Sequence, residues 1–404
     1  MRASERQGGA EVIVAGHICL DIIPQMHGSE FSFRPGTLEE VGPAVVSLGG
    51  CVPNTGLALK KLGAVVHLVA KIGTDPIADL LQLELQKFGD AGEGLTRSSQ
   101  ERTSYSVIIS PWGADRMILH FPGSNDSFTA DDVQAALARP AEIFHFGYPP
   151  LMRRMFENDG RELEQVFRQA KQKGLLTSLD MAYPDPNSPA GRVNWRAIAA
   201  RVLPHVDVFL PSYEELACLL EPDTSYGLVN DGYRSLVHVE TTNLQRLAKT
   251  ACNMGAAVVA VKLGNRGLYV RTNSQARVSQ TGRLSSENWA DRELWTPVFK
   301  VKLVGTTGAG DATVAGFLYG ILRRFPVEQV CRIACAVGAC SVESTDANSG
   351  ILPFELLERR MREGWEQEPC PAGESWSLIA PGVFAGSSDR KLGTVGVEQQ
   401  RGSR

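Results

Sequence analysis

Eight consecutive residues, Val304-Gly-Thr-Thr-Gly-Ala-Gly-Asp311, combine groups that could do chemistry together. They stand between an apolar run and a stretch in which Ala315, Leu318 and Leu322 recur at helical spacing. Glycines in such a linker let the backbone turn sharply and bring N–H groups close to a ligand. A helix starting near Asp311 offers unpaired N–H groups and the positive end of its dipole, a favourable place for a phosphate. A carboxyl there, with an ordinary pKa near ~3.9, is ionised at neutral pH. Its charge is out of place in an anion-binding loop unless it takes a proton from an incoming hydroxyl. Base, positioned nucleophile and N–H groups suit phosphoryl transfer to an alcohol. A Gly-rich turn capped by Asp311, worth ~1 kcal/mol of helix stability, is the plainer account of the same residues.

These residues need a scaffold, and the apolar pattern predicts one. Residues 11–20 form a buried strand ending at Asp21, and Gly49-Gly50 opens a helix over 54–62 that Gly63 stops. A second buried strand over 64–70 leads through Gly73-Thr74-Asp75-Pro76 into a helix over 77–88, capped by Thr74 or Asp75. Strand and helix in this alternation predict a parallel βαβ sheet. Alternation around Thr103–Ile109, a turn at 111–115 and a return over 117–121 predict a hairpin, an appendage such as a lid. The Gly/Pro-interrupted segment 29–47 is expected to supply further lid strands. The α/β rhythm resumes with strands over 143–146, 175–179, 206–210 and 257–262, and with helices over 161–173 and 213–220. Residues 221–240 are looser and lead to a helix ending at Met254. Residues 274–294 read as a polar, exposed excursion, 299–304 as a strand feeding the glycine loop, and 312–324 as a helix. From 366 onward the chain is expected to be a mobile tail, and residues 1–10 a flexible N-terminus.

Two segments together resemble the ribokinase-like (PfkB) carbohydrate kinases. Their second signature, Asp-Thr-x-Gly-Ala-Gly-Asp, is matched from Thr306 to Asp311, and their first, Gly-Gly-x-x-x-Asn, by Gly49-Gly50-Cys-Val-Pro-Asn54. Two signatures in the right order, about 250 residues apart, are more specific than either alone, and the similarity runs over roughly 11–364. The resemblance implies an α/β three-layer sandwich with a mostly parallel central sheet and a small β lid. It implies Asp311 as catalytic base, Gly308, Ala309 and Gly310 as anion hole, and Asp21, Gly49, Gly50 and Asn54 as ligands of acceptor hydroxyls. The run Lys262-Leu-Gly264-Asn-Arg-Gly267 resembles the family's nucleotide strand-turn, so Lys262, Gly264, Gly267, Thr306 and Thr307 are expected to line an ATP site. As an isolated pattern it is equally a plain turn.

Pro211-Ser-Tyr-Glu-Glu215 resembles the family's Asn-x-x-Glu motif, tied to magnesium and phosphate handling, with Ser212 where Asn is usual. Glu215 is the candidate magnesium residue; a capping box with Ser212 explains it as well. Asn125, after the hairpin, could reach the substrate or be an ordinary turn residue, and His17 could touch a sugar or pack in the core. Gly305 replaces the Asp that opens the second signature and serves a monovalent-cation site, which puts potassium activation in doubt. After Asp180 the chain reads Met181-Ala-Tyr-Pro-Asp-Pro186, without the usual Asn and Arg, which favours a neutral acceptor over a sugar phosphate. The expected substrate is a small sugar; a nucleoside, or a catalytically weak sugar- or nucleotide-binding protein of the same fold, is the alternative. Apolar lid edges could pair two copies.

Composition narrows the field further. The 404 residues carry 41 Lys+Arg against 45 Asp+Glu, a net charge of -4, so nothing electrostatic points to nucleic acid or an anionic membrane. The polar start lacks a signal peptide's apolar core, and no apolar run nears membrane-spanning length, so a cytoplasmic protein is expected. None of the eight cysteines is spaced CxxC, and Cys331, Cys335 and Cys340 read as small residues on a packed helix rather than a thiolate metal site. No GxGxxG follows the first strand, and no GxxxxGK[ST], GxSxG or HExxH occurs, against dinucleotide dehydrogenases, P-loop enzymes and common hydrolases.

Overall fold

The first strand is buried on both faces, and its side chains alternate between two apolar layers. Val12 and Val14 enter one layer, Ile13 and Ala15 the other. Double burial is why residues 12–16 read as a continuous apolar run without polar alternation. In the computed structural model, residues 11–391 are described, apart from 27–34, 37, 111–116, 223–238, 372 and 374. The expected flexible N-terminus, the hairpin turn, and parts of the lid segment, of the looser stretch and of the tail lie outside the described residues.

In chain order the strands are β1 (Val12–Gly16), β2 (Cys19–Pro24), β3 (Ala44–Gly49), β4 (Val66–Ile72), β5 (Leu95–Arg97), β6 (Tyr105–Ile109) and β7 (Met117–Phe121). They continue as β8 (Ile143–Gly147), β9 (Leu176–Asp180), β10 (Val208–Phe209), β11 (Val258–Lys262) and β12 (Leu268–Thr272). The last are β13 (Glu293–Thr296), β14 (Ser377–Ala380) and β15 (Val383–Ala385). Among the described residues, the helices of eight residues or more are α1 (Cys51–Lys61), α2 (Pro76–Gln86), α3 (Arg161–Gln172), α4 (Trp195–Val202) and α5 (Tyr213–Leu220). They are followed by α6 (Thr241–Asn253), α7 (Ala309–Leu322), α8 (Val327–Ser341) and α9 (Phe354–Arg362).

Among the described residues, eleven strands form one sheet in the order β14-β15-β13-β12-β11-β10-β9-β8-β1-β4-β5. The run from β11 to β5 is parallel throughout, and β12, β13, β14 and β15 add antiparallel pairs at one side. One face is covered by α1, α7 and α8, with Val52, Leu57, Val314, Phe317 and Val330 fully or almost fully buried. The other is covered by α3, α4, α5 and α6 through residues such as Phe167, Ile198, Leu216 and Leu247. The outcome is helices, sheet and helices in three layers, with a second sheet in the order β3-β2-β6-β7 standing apart as the lid.

Four sequence readings change. The strand expected over 11–20 is two strands: β1 ends at Gly16, and β2 crosses into the lid, antiparallel to β3 and parallel to β6. Asp21 therefore sits on the lid sheet. Residues 299–304 are not a strand; Phe299 makes one bridge to Gln367, and Leu303 and Val304 are exposed. The neighbouring place in the sheet, beside β12, belongs to β13. The polar segment 274–294 is not an exposed excursion, since it folds into two short helices and leads into β13, with Arg292 and Glu293 fully buried. Its polarity is used internally: Arg292 Nε donates to Asp389 Oδ2 at 2.9 Å and Nη2 to Glu328 Oε1 at 2.9 Å. Finally, the expected tail from 366 contains β14 and β15, which continue the main sheet beyond β13.

Candidate active site

Neighbouring parallel strands deliver polar groups to one edge of the sheet. His17 follows β1, Tyr148 follows β8, Asp180 ends β9, Ser212 lies just beyond β10 and Lys262 ends β11. In open α/β sheets this carboxyl edge is where ligands bind, because the loops there are free to diverge. The N-terminus of α7 faces the same edge. Gly308 caps the helix in the left-handed conformation, with φ 73°, which a Cβ would strain. The loop turns there so that α7 starts with its first N–H groups lacking intrahelical acceptors. Asp311 is the third residue of that helix.

Asp311 is 2% exposed and accepts three side-chain hydrogen bonds. Asn54 Nδ2 and the Tyr148 hydroxyl donate to Oδ2 at 3.0 and 2.9 Å, and Thr55 Oγ1 donates to Oδ1 at 3.2 Å. Burial, and next the Asp180 charge, push its pKa up to about 6, while Lys262 and the Asn54 and Tyr148 hydrogen bonds oppose the rise. The reference value near ~3.9 is thus displaced toward neutrality. The carboxylate remains mostly ionised at pH 7 and is more basic than a free aspartate, which suits a proton acceptor.

Lys262 lies beside this group. Its Nζ donates to Asp180 Oδ1 at 2.5 Å, and a Cβ built on Gly310 would stand 3.6 Å from the same nitrogen, so the ammonium lies against the start of α7. Burial disfavours its charge, but Asp180, Glu215 and Asp311 outweigh that and hold its pKa above the ordinary lysine value. Burial pushes Glu215 up to about 8, although Lys262 opposes the shift. Ser212 and Glu215 form the reciprocal capping box of α5: Ser212 N–H donates to Glu215 Oε2 at 2.6 Å, and Glu215 N–H donates to Ser212 Oγ at 3.2 Å.

The first glycine pair also has a geometric reason. Gly50 has φ 92°, and a Cβ there would come 2.6 Å from both Nδ1 and the carbonyl oxygen of His17. It lets the start of α1 approach the end of β1 and aims Asn54 at Asp311. Gly49 lies directly against the Asp21 carboxyl. The Asn54 Oδ1 is buried without a hydrogen-bond partner, an acceptor left for something else. Asn125 sits elsewhere: its Nδ2 donates to Ile18 O at 2.8 Å and its Oδ1 accepts from Ile18 N–H at 3.2 Å. It clamps the backbone between β1 and β2 rather than turning its amide to a ligand. Gly264 and Gly267, with φ 52° and 96°, build the tight turn between β11 and β12. Thr306 and Thr307 are half-buried in the turn before α7.

Three participants escape motif reading. Thr55 simply follows Asn54. Tyr148 is one of the few non-glycine residues with positive φ, at 65°, and such strain gathers at functional positions; its one sequence signal is the place just after a buried strand. The pairing of Asp180 with Lys262 joins residues 82 apart in sequence. At position 305 a Cβ would come 2.8 Å from Ser344 O, so the glycine fits where the resemblance expects Asp.

A mostly parallel three-layer sheet with a β lid, a glycine turn opening a helix and a buried aspartate beneath it define the ribokinase-type fold of small-molecule kinases. The model of the pfkB family carbohydrate kinases matches residues 10–354, and the chain belongs to that family. It is 26% identical over 295 residues to an uncharacterized sugar kinase of Archaeoglobus fulgidus, covering 73% of this chain and 98% of that protein. With fructokinase-1 of Zea mays it shares 24% over 320 residues, 78% of this chain and 84% of that one. The fold matches the structure of Arabidopsis thaliana ribokinase complexed with ribose and ATP at a TM-score of 0.65, 18% identity, 87% of this chain and 98% of that chain. The protein is therefore a carbohydrate kinase by family. Among the described residues, no helix is long and apolar enough to cross a membrane.

Proposed function

We propose that this protein transfers the terminal phosphate of ATP to a hydroxyl of a small neutral sugar or sugar-like molecule. One observation carries the reading: a buried carboxyl with a pKa of about 6 stands in the first turn of α7, beside the helix's first N–H groups, which have no acceptor within the helix. Asp311 takes the proton of the attacking hydroxyl, and the Gly308, Ala309 and Gly310 backbone receives charge growing on the transferred phosphoryl oxygens. Tyr148, Asn54 and Thr55 hold the Asp311 carboxylate in one orientation. The acceptor lies between the sheet edge and the lid, where Asp21, Gly49, Gly50 and the unpaired Asn54 Oδ1 offer hydrogen bonds to its hydroxyls. The nucleotide lies along Lys262, Gly264, Gly267, Thr306 and Thr307. Lys262, freed from part of its bond to Asp180, offers its charge to the phosphates.

The donor set also fits magnesium, which takes oxygen ligands. Asp180 Oδ2 is buried without a hydrogen-bond partner, and Glu215 belongs to the same charged group. Asp180 and Glu215 would hold the ion together with the nucleotide's phosphates, where it neutralises phosphate charge. The lid closes over the acceptor and keeps out water, the competing nucleophile. The exposed Met117, Ile118, Leu119 and Phe121 on the lid edge strand β7 also suit pairing with a second copy.

The test is a panel of sugars and nucleosides with magnesium-ATP, followed by ADP release, with Asp311→Ala alongside. Transfer to a neutral sugar that the variant binds but does not phosphorylate supports the reading. Turnover by Asp311→Ala within about threefold of the parent would sink it, because loss of a general base costs far more.

A further inference from the structure

His17, Cys19 and His120 form a cluster that the kinase chemistry leaves unused. One ligand atom from each lies within 4.8 Å of the other two. His17 and Cys19 come from the crossing between β1 and β2, and His120 from lid strand β7. The two imidazole Nε2 atoms face each other at 3.4 Å. Two nitrogens on one tetrahedral zinc, with bonds of ~2.0–2.1 Å, stand about 3.3 Å apart. The geometry points to a binding site for a divalent cation of the zinc class, held by His17 Nε2, Cys19 Sγ and His120 Nε2 and tying the lid to the core.

The surroundings are those such a site needs. The second nitrogen of His120, Nδ1, lies 3.1 Å from Ser106 Oγ, an outer partner that fixes the ring and leaves Nε2 for the ion. The Cys19 thiol lies 3.3 Å from Asp21 Oδ1. On binding, the S–H bond breaks, its proton leaves to solvent and the sulfur–metal bond forms. The Asp21 carboxylate or a water completes four ligands. The cysteine is what separates this set from an oxygen-lined magnesium site, since thiolate and imidazole favour zinc-class ions.

Cobalt(II) is the probe, because tetrahedral cobalt bound by a thiolate absorbs both in the visible and through a sulfur-to-metal charge-transfer band. Titrating the full-length protein should give one cobalt per chain, displaced by zinc, with that band present. Cys19→Ser should remove the band, and His120→Ala, on an exposed lid strand, should weaken binding at least ~10-fold. Circular dichroism of both variants checks that they fold. No saturable one-to-one binding by the parent, or an unchanged spectrum in Cys19→Ser, overturns the site. If the kinase reading holds, the ion also fills space beside Asp21, and zinc should raise the apparent KM for the sugar in the parent and not in Cys19→Ser. Zinc that binds without this effect overturns the competition. The spectroscopy does not depend on the kinase reading, so the two can fail separately.

Discussion

The Tyr148 hydroxyl donates to Asp311 Oδ2 at 2.9 Å, joining the end of β8 to the first turn of α7 across 163 residues of sequence. This hydrogen bond stabilises the ionised carboxylate and keeps its pKa from rising beyond about 6. Tyr148→Phe keeps the ring against His17 and deletes the donor. The Asp311 pKa should then rise, so the acidic limb of the kcat/KM profile moves up by as much as ~1 pH unit. Activity falls most below pH 7 and least at pH 8. A profile that drops uniformly at every pH would show that the hydroxyl acts otherwise.

Asp311→Asn separates catalysis from stability. On the proposed mechanism, in which Asp311 takes the hydroxyl proton, the amide should lower kcat by ~10²–10⁴. The folded-state pKa of about 6 lies above the unfolded value of 3.8, so the folded protein binds the extra proton between those pH values. Its contribution therefore declines as pH rises through that window, and above pH 6 the full penalty of a buried charge is present. Removing the charge should stabilise the protein by about 1–2 kcal/mol at pH 7.5, with part of the linkage gain lost because an amide accepts fewer hydrogen bonds. The gain should shrink toward pH 4. Urea denaturation at both pH values measures it, and a variant less stable at pH 7.5 contradicts the strained-carboxylate account.

Lys262→Met tests the neighbouring cation. It leaves Asp180 buried without its partner, and breaking a buried pair in this way costs ~3–5 kcal/mol. Adding Asp180→Asn should recover a large part of that loss while activity stays low, because the ammonium beside Gly310 is still missing. Additive destabilisation in the double variant would mean that the two side chains do not act as a pair.

What the sequence discloses depends on whether a feature is local. Asp311 and its glycines are legible because a helix N-terminus and a turn are built from adjacent residues. The strands β1 and β11 are legible because burial on both faces makes them continuous apolar runs, and β4, β8 and β9 because short segments with apolar residues recur between helices at the α/β rhythm. Tyr148, Thr55 and the Asp180–Lys262 pair are not, since only the sheet order brings them to one edge. The segment over 274–294 misleads for a related reason. Its Arg292 looks like a solvent-facing charge, yet its partners Glu328 and Asp389 lie 36 and 97 residues away. Strand 299–304 fails because short apolar runs carry no information about whether a neighbouring strand already occupies the sheet position.

Those distant partners make the C-terminal segment a structural part of the kinase. Arg292 is fully buried between Asp389 and Glu328, and Lys391 also donates to Glu328 at 2.6 Å. Asp389 further accepts the Glu293 N–H at 2.9 Å, so one carboxylate fixes both the guanidinium and the start of β13. Asp389→Ala should therefore cost up to ~3–5 kcal/mol, the range for breaking a buried pair, with Glu328 still facing the guanidinium. A chain ending at residue 370 should fare worse, because it also strips β15 from β13 and opens that edge to other chains. Thermal unfolding and size-exclusion chromatography of both would show it. A truncated chain that melts with the parent and stays monodisperse would return this segment to the status of a tail.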